Sequence, residues 1–122
     1  MRPTKAAQDY KGHAMAKNSV KATILSTLAS SSVLTTYQSL NPDGFIAPVF
    51  FLRVINDSTE PIFVSYDGVN NHDYVRAGSD LEVSTQSNSQ PNARYALFDK
   101  YEQVYVKGAA GTGTIAMTGY YV

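Results

Sequence analysis

Two apolar runs carry most of the information about the fold class, Phe50-Phe51-Leu52-Arg53-Val54-Ile55 and Pro61-Ile62-Phe63-Val64-Ser65-Tyr66. Both are short and rich in β-branched and aromatic side chains, which favour pleated, half-buried strands. The polar segment between them, Asn56-Asp57-Ser58-Thr59, has the composition of a turn. The two runs are therefore predicted to form a β-hairpin in the centre of the core.

Shorter runs of similar character lie further along the chain. Several of them alternate between apolar and polar side chains with period two, which puts one face of a strand on a core and the other face in solvent or against a partner. The predicted strands are residues 81–84, 104–107 and 114–118, with residues 74–76 and 94–98 as shorter candidates. Segments rich in Gly, Asn, Asp and Ser separate these runs and predict turns.

Residues 20–40 carry conflicting signals. Val20, Ile24, Leu25 and Leu28 have a helical spacing, but the many serines around them are poor helix formers, and residues 31–37 have the composition of a strand. Two strands are predicted here, which brings the total to about eight. The sequence thus predicts an all-β domain over residues 22–122, which is either an antiparallel β-sandwich or barrel or a jelly-roll-like fold.

The 122-residue chain has ten basic and ten acidic residues, and these charges are unevenly distributed. Residues 1–21 hold five basic residues against Asp9 alone, a net charge of +4, so the rest of the chain carries −4. We interpret residues 1–21 as an extended N-terminal arm, which either docks on an acidic neighbour or a phosphate backbone or is an unstructured tail. The neutral total predicts neither whole-surface attraction to nucleic acid nor a sequence-specific nucleic-acid partner.

Residues 1–14 raise the question of where the native protein starts. Lys11-Gly12 can be encoded by a purine-rich sequence two codons upstream of Met15, which is where a bacterial ribosome-binding sequence lies. The resulting hypothesis is that Met15 is the native start and that residues 1–14 lie upstream of it. Lys17 and Lys21 are then the basic residues left in the arm.

The sequence excludes several kinds of site. It contains no Cys, so it has no disulfide, thiolate zinc site, cysteine-held iron–sulfur cluster or cysteine nucleophile. His72 lies near Asp67, Asn70 and Asp73, whose oxygens are possible calcium ligands, but the segment lacks the spacing and the bidentate Glu of an EF-hand and is also typical of a turn. No metal and no cofactor are predicted.

Other patterns that resemble active-site elements favour structural roles. Residues 108–113 are glycine-rich, but they lie between two predicted strands, so a hairpin loop is expected rather than a phosphate-binding loop. The carboxylate pairs Asp99 with Glu102 and Asp57 with Glu60 have the character of surface charges beside turns. No Gly-x-Ser-x-Gly elbow of a hydrolase occurs. The chain is therefore predicted not to be an enzyme.

No membrane partner is predicted either. The longest apolar runs, such as residues 47–52, are far shorter than the roughly 20 residues of a transmembrane helix. The N-terminus shows no charged start followed by an apolar run and a small-residue cleavage site, so no secretory leader is expected.

Nine tyrosines are a distinctive part of the composition. Tyr combines a large contact area with a polar tip and is enriched at protein interfaces. Tyr120-Tyr121-Val122 ends the chain in a strand pattern, so either one ring packs in the core while the other covers the sheet, or the strand lies at a subunit contact. The candidate interface residues are Lys17, Lys21, Tyr37, Tyr105, Tyr120 and Tyr121.

The order of motifs in residues 48–122 resembles that of small virion proteins of tailed bacteriophages. The resemblance rests on an apolar strand ending in Asn, a strand closing in Ser-Tyr-Asp-Gly, an Ala-Gly-Ser corner and a late Val-x-Val-Lys-Gly motif followed by a Gly-Thr-Gly-Thr segment. In this sequence they are Arg53-Val54-Ile55-Asn56-Asp57, Pro61-Ile62-Phe63-Val64-Ser65-Tyr66-Asp67-Gly68, His72-Asp73-Tyr74-Val75-Arg76-Ala77-Gly78-Ser79, Val104-Tyr105-Val106-Lys107-Gly108 and Gly111-Thr112-Gly113-Thr114-Ile115.

The resemblance implies a β-sandwich building block of the particle, found at capsid surfaces, necks or tails and active as an oligomer. Its partners would be copies of itself and other virion proteins, and its location the virion, assembled in the host cytoplasm. The largest buried surface is then expected between copies. An alternative is a module that binds a glycan or host surface through exposed Tyr and Asn, which a cluster of Tyr66, Tyr74 and Tyr101 beside a shallow groove would favour.

Overall fold

The computed structural model describes residues 19–85 and 97–122 of the chain. Several sequence predictions therefore lie outside the described residues: the start at Met15, the arm residues 1–18 with Lys17, and residues 94–96 of the predicted strand 94–98. Phe98 forms an isolated antiparallel bridge with Val49.

Strands dominate the described residues, and among them there is no α-helix. The strands are β1 (Lys21–Ala22), β2 (Ser26–Ala29), β3 (Gln38–Ser39), β4 (Phe51–Ser58), β5 (Ile62–Ser65), β6 (Asp73–Val75), β7 (Ser79–Ser84), β8 (Tyr105–Gly108) and β9 (Gly113–Tyr121). One 3-10 helix, Ser30–Ser32, follows β2. The described part of the chain contains no helix long and apolar enough to span a membrane.

The strands form two antiparallel sheets. In the first, β9 lies between β4 and the short strands β1 and β2, and β7 pairs with the other edge of β4. The second sheet has the order β3-β8-β5-β6. With β1 set aside, the orders β2-β9-β4-β7 and β3-β8-β5-β6 are those of an eight-stranded jelly roll. The predicted all-β sandwich is confirmed.

The core lies between the two sheets. In β4, Leu52 and Val54 are buried and the residues between them face outward, as the period of two predicts. Val64 of β5 and Val106 of β8 face them from the second sheet and are fully buried. The other buried hydrophobic residues are Val33, Leu40, Phe45, Val49, Ile62, Val75, Val104, Ile115 and Met117.

The predicted hairpin between the two main apolar runs is wrong. β4 belongs to the first sheet and β5 to the second, so residues 59–61 cross from one sheet to the other. The predicted turn also begins later, since β4 continues through Asn56 and Asp57 to Ser58. In a sandwich, the apolar faces of the two runs pack against each other, whereas in a hairpin they would lie side by side in one sheet.

The predicted hairpin at residues 108–113 is wrong for the same reason. β8 pairs with β3 and β5, whereas β9 pairs with β1, β2 and β4. The glycine-rich segment is a crossing that must pass close to its neighbours. A Cβ atom on Gly113, whose φ is 114°, would overlap the carbonyl oxygen of Asp57.

The strand predicted within residues 31–37 does not form. The chain turns through the 3-10 helix, buries Val33, and reaches a strand only at Gln38. Its backbone groups bond across the crossing: Gly111 N–H donates to the Ser30 carbonyl, and Gly108 N–H to the Leu34 carbonyl. The Leu34 N–H donates to the side chain of Gln38 (2.8 Å), which closes a local turn in place of a strand.

Four connections cross between the sheets at one end of the sandwich, which we call the crossover end: residues 30–37, 59–61, 76–78 and 109–112. Asn56, which is fully buried, holds two of them. Its Nδ2 donates to the carbonyls of Glu60 (2.9 Å), Val75 (3.1 Å) and Arg76 (3.1 Å), and its Oδ1 accepts from Ser58. A polar strand residue thus satisfies backbone carbonyls where the chain leaves its sheets.

Candidate functional site

The described candidate interface residues fall into two groups. Lys21 pairs with Tyr121 at the edge of the first sheet, and Tyr120 is next to Tyr121 in β9. Tyr37 and Tyr105 lie on the second sheet, Tyr105 in β8 and Tyr37 directly before β3. The five candidate residues within the described part of the chain therefore do not form one surface.

A groove lies beside the first group, between the β1–β2 connection and the segment after β3. Its volume is about 250 Å³, and Leu40, Phe45 and Met117 form part of its apolar lining. Ile24 and Ile46 also line it and are 90% and 64% exposed. We call this surface the edge groove, because it borders the sheet edge formed by β1 and β2.

The exposure of Ile24 follows from how Thr23 is bound. Thr23 N–H donates to the Gly119 carbonyl (2.8 Å), Gly119 N–H donates to Thr23 Oγ1 (3.0 Å), and the Thr118 hydroxyl donates to the Thr23 carbonyl (3.1 Å). These bonds hold Thr23 against β9 at the gap between β1 and β2. The following residues, Ile24 and Leu25, are both more than half exposed.

The outer face of the first sheet has a different character. The rings of Phe51 and Tyr120 lie 5.7 Å apart on neighbouring strands. Arg53, one pleat along, has its Nε 3.7 Å from Asp80 and 3.9 Å from Glu82. One guanidinium thus faces two carboxylates, which leaves this part of the face with a net charge of −1.

Four side chains form a row across the outer face of the second sheet: Tyr37, Lys107, Phe63 and Tyr74. Lys107 lies opposite Phe63, and Phe63 opposite Tyr74, in adjacent strands. Lys107 Nζ is 4.8 Å from the centre of the Tyr37 ring and 5.9 Å from that of Phe63. The rings of Phe63 and Tyr74 are 5.2 Å apart and tilted by 57°. We call this set the aromatic row.

The loop between β5 and β6, residues 66–72, borders the aromatic row. Asp67 organises it: its carboxylate accepts N–H bonds from Val69 and Asn70 and the hydroxyl of the buried Ser65. These hydrogen bonds, of which the one from the Asn70 N–H has the largest effect, hold the pKa of Asp67 well below its ordinary value. The Tyr37 hydroxyl donates to Asn71 Oδ1, which joins the loop to the row.

These hydrogen bonds also bear on the calcium alternative for this loop. The Asp67 oxygens are occupied by donors from its own loop, and Asp73 Oδ2 accepts the Tyr66 hydroxyl at 2.6 Å. Within residues 19–85 and 97–122, no group of three or more potential metal ligands occurs. The geometry is that of a hydrogen-bonded turn.

The Tyr66, Tyr74 and Tyr101 cluster suggested for glycan binding is not present. The Tyr66 ring packs between the rings of His72 and Phe98, with ring centres 5.5 Å and 5.6 Å away, at the margin of the core. The pKa of Tyr66 is raised mainly by burial and secondly by its hydrogen bond to Asp73. Tyr74 packs on Phe63, and Tyr101 lies beside Lys100. No ring contact among the described residues joins any two of the three tyrosines.

Sequence reasoning missed four residues of these surfaces: Ile24 and Ile46 of the edge groove, and Phe63 and Lys107 of the aromatic row. Phe63 and Lys107 each occupy an outward position of a predicted strand, which is a usable signal. Their contact depends on the pairing of β5 with β8, more than 40 residues apart in the sequence.

No protein-family model matches the chain, and no curated protein sequence matches it. Solved structures that match the chain include the Dit protein of phage SPP1, described as a paradigm of the hub adsorption apparatus in phages that infect Gram-positive bacteria, at 15% identity and a TM-score of 0.41. That match covers 84% of this chain, which spans about half (49%) of the Dit chain.

Two further similar structures come from a pilus and a virus. An endospore appendage of Bacillus, from a family of disulfide-linked pili, is 14% identical with a TM-score of 0.46, over 85% of this chain and 88% of that one. The virus-like particle of extra small virus from the prawn Macrobrachium rosenbergii gives 9% identity and a TM-score of 0.40, over 84% and 77%.

Proposed function

We propose that the chain is a non-enzymatic structural component of a bacteriophage particle. It is assembled in the host cytoplasm and works in the virion through contacts with copies of itself and with capsid, neck or tail proteins. The resemblance of residues 48–122 to small virion proteins supports this proposal. Because one fold serves many functions, the surface of the domain has to carry the argument.

The edge groove is the observation that carries it. Isolated exposed apolar residues are normal on soluble proteins, but apolar side chains gathered around an apolar groove indicate an interaction site. Ile24 and Ile46 face this groove, and Val20 and Leu25 are exposed nearby in the sequence. Burying one such side chain completely contributes about 1.5–3 kcal/mol to an association.

A second copy of the chain fits this surface. Self-association across a two-fold axis requires that a surface be complementary to itself. The edge groove region offers a protruding side chain, Ile24, beside a concavity, and it carries charges of both signs, Lys21 on β1 and Asp43 in the lining. The short edge formed by β1 and β2 is also available for strand pairing with a neighbour. Lys21, Tyr120 and Tyr121 would lie at this contact.

Sedimentation velocity over a range of protein concentrations tests the proposal. The unaltered chain is expected to form a defined oligomer, and Ile24→Asp is expected to dissociate it by burying an unpaired charge. Val69→Asp is the matched control, because Val69 is 75% exposed in the loop before β6 and does not line the groove. A chain that stays monomeric at every concentration, or an oligomer that Ile24→Asp leaves intact, would overturn the proposal.

A further inference from the structure

We propose that the aromatic row binds a linear saccharide that carries carboxylate groups, such as a uronate oligosaccharide. This site is separate from the edge groove and does not depend on assembly. It is formed by Tyr37, Lys107, Phe63 and Tyr74 on the outer face of the second sheet.

The floor of the site is aromatic and accessible. Phe63 is 36% exposed and Tyr74 55% exposed, although each ring already packs on the other. Adjacent strands are about 4.8 Å apart, so a row across four strands is roughly 14 Å long, which suits a short extended ligand rather than a compact one. The C–H faces of pyranose rings are apolar and pack on exposed aromatic rings, whereas their hydroxyls need polar partners at the rim.

The loop of residues 66–72 provides such polar groups. Asn71 is exposed, and its Oδ1 accepts the Tyr37 hydroxyl. Its Nδ2 has no hydrogen-bond partner among the described residues, so it is available to a ligand hydroxyl. Asp67 holds the loop in place through bonds to Val69 and Asn70, so the rim is organised before a ligand arrives.

The charge of the row favours an acidic ligand. Lys107 Nζ lies between two rings, and no described acidic side chain is within 4.0 Å of it. The carboxylate of Asp67, in the neighbouring loop, accepts its hydrogen bonds from within that loop. Lys107 is thus a cation without an ion-pair partner in the described structure, in the middle of an aromatic surface.

A saccharide fits this surface better than a second copy of the chain. A stable contact between proteins buries about 800 Å² on each partner, and it requires a broad complementary area. The aromatic row takes one residue from each of the strands β8, β5 and β6, and on one side the 66–72 loop covers the neighbouring positions: Ser65 is fully buried, and Gly68 lies against the Tyr105 ring. The aromatic row, bordered by the polar loop of residues 66–72, therefore favours an extended chain of sugar rings.

Calorimetric titration with tetragalacturonic acid tests this proposal, with its fully methyl-esterified form as a neutral probe of the same length. Binding near a millimolar dissociation constant is expected for the acid. Since an exposed ion pair contributes about 0.2–1 kcal/mol, the ester is expected to bind up to about fivefold more weakly. Lys107→Gln should reduce acid binding by a similar factor and remove the preference for the acid, and Tyr74→Ala should weaken both probes by about tenfold.

Lys100→Gln is the matched control, because Lys100 also lies over a tyrosine ring, Tyr101, but outside the row. Both altered side chains of the row are on the surface, and circular dichroism checks that the variants fold. Failure of both saccharides to bind, or binding that Tyr74→Ala and Lys107→Gln leave unchanged, would overturn the proposal. So would a crystal or cross-linking contact in which a second copy covers Phe63 and Tyr74. Ile24→Asp should keep saccharide binding, which separates this test from that of assembly.

Discussion

Replacement of Asn56 by Ala should destabilise the whole domain, because this side chain holds the crossover end together. It is fully buried, and its amide donates to three carbonyls, of Glu60, Val75 and Arg76. Asn56→Ala removes the two N–H groups that these three carbonyls share, and each hydrogen bond lost in such a buried setting costs about 1–3 kcal/mol. The expected loss is about 3 kcal/mol, a decrease in Tm of about 10–15 °C.

Urea unfolding followed by circular dichroism measures this loss, with the m-value expected to stay constant because the surface exposed on unfolding hardly changes. Asn71→Ala is the matched control: Asn71 is exposed, so its removal should cost about 0.5 kcal/mol or less. Asn56→Asp keeps the shape but replaces the donor with an acceptor facing three carbonyl oxygens, so it should be at least as destabilising as Ala. The reasoning is refuted if Asn56→Ala costs no more than Asn71→Ala, or if Asn56→Asp is as stable as the unaltered chain.

Two further predictions concern single positions. Gly113→Ala should lower the free energy of unfolding in urea by about 3 kcal/mol or more, because φ is 114° and a Cβ would overlap the Asp57 carbonyl. Gly78→Ala is the control and should cost about 1 kcal/mol, because φ is 75° but no atom lies within 4 Å of the added Cβ. Equal costs for the two variants would contradict the close approach of Gly113 to Asp57. The depressed pKa of Asp67 stabilises the fold above the unfolded value of about 3.9, and this contribution is lost as pH falls below it. The Tm advantage of the unaltered chain over Asp67→Ala should therefore shrink between about pH 5 and pH 2 in thermal scans, and an advantage that stays constant would show that the ionised carboxylate is not what holds the loop.

The sequence predicted the existence of the main strands better than their partners. Alternating apolar residues such as Leu52 and Val54 identify β4 because burial on one face of a sheet requires that period. A polar connection such as residues 59–61 serves equally well to close a hairpin or to cross between sheets. Whether the connection closes a hairpin or crosses between sheets depends on how the two apolar faces pack and on the hydrogen bonds of the buried Asn56. Those hydrogen bonds reach residues up to 20 positions away in the sequence.

The surfaces were predictable only in part. Tyr37 and Tyr105 were expected at an interface from composition. Tyr37 belongs to the aromatic row, and Tyr105 lies in β8, the strand that also carries Lys107. The row itself depends on the register that places Lys107 opposite Phe63, which local sequence does not determine. The exposure of Ile24 could not be predicted, because an apolar residue is expected in the core. The hydrogen bonds of its neighbour Thr23 to β9 are what turn Ile24 outward.

Cryo-electron microscopy of purified particles that contain this chain tests the central claim most directly. The account predicts β-sandwich density in several symmetry-related copies, with the edge groove at Ile24 and Ile46 covered by a neighbouring copy. Particles that lack the chain, or that hold it as isolated domains with the edge groove open to solvent, would contradict the account.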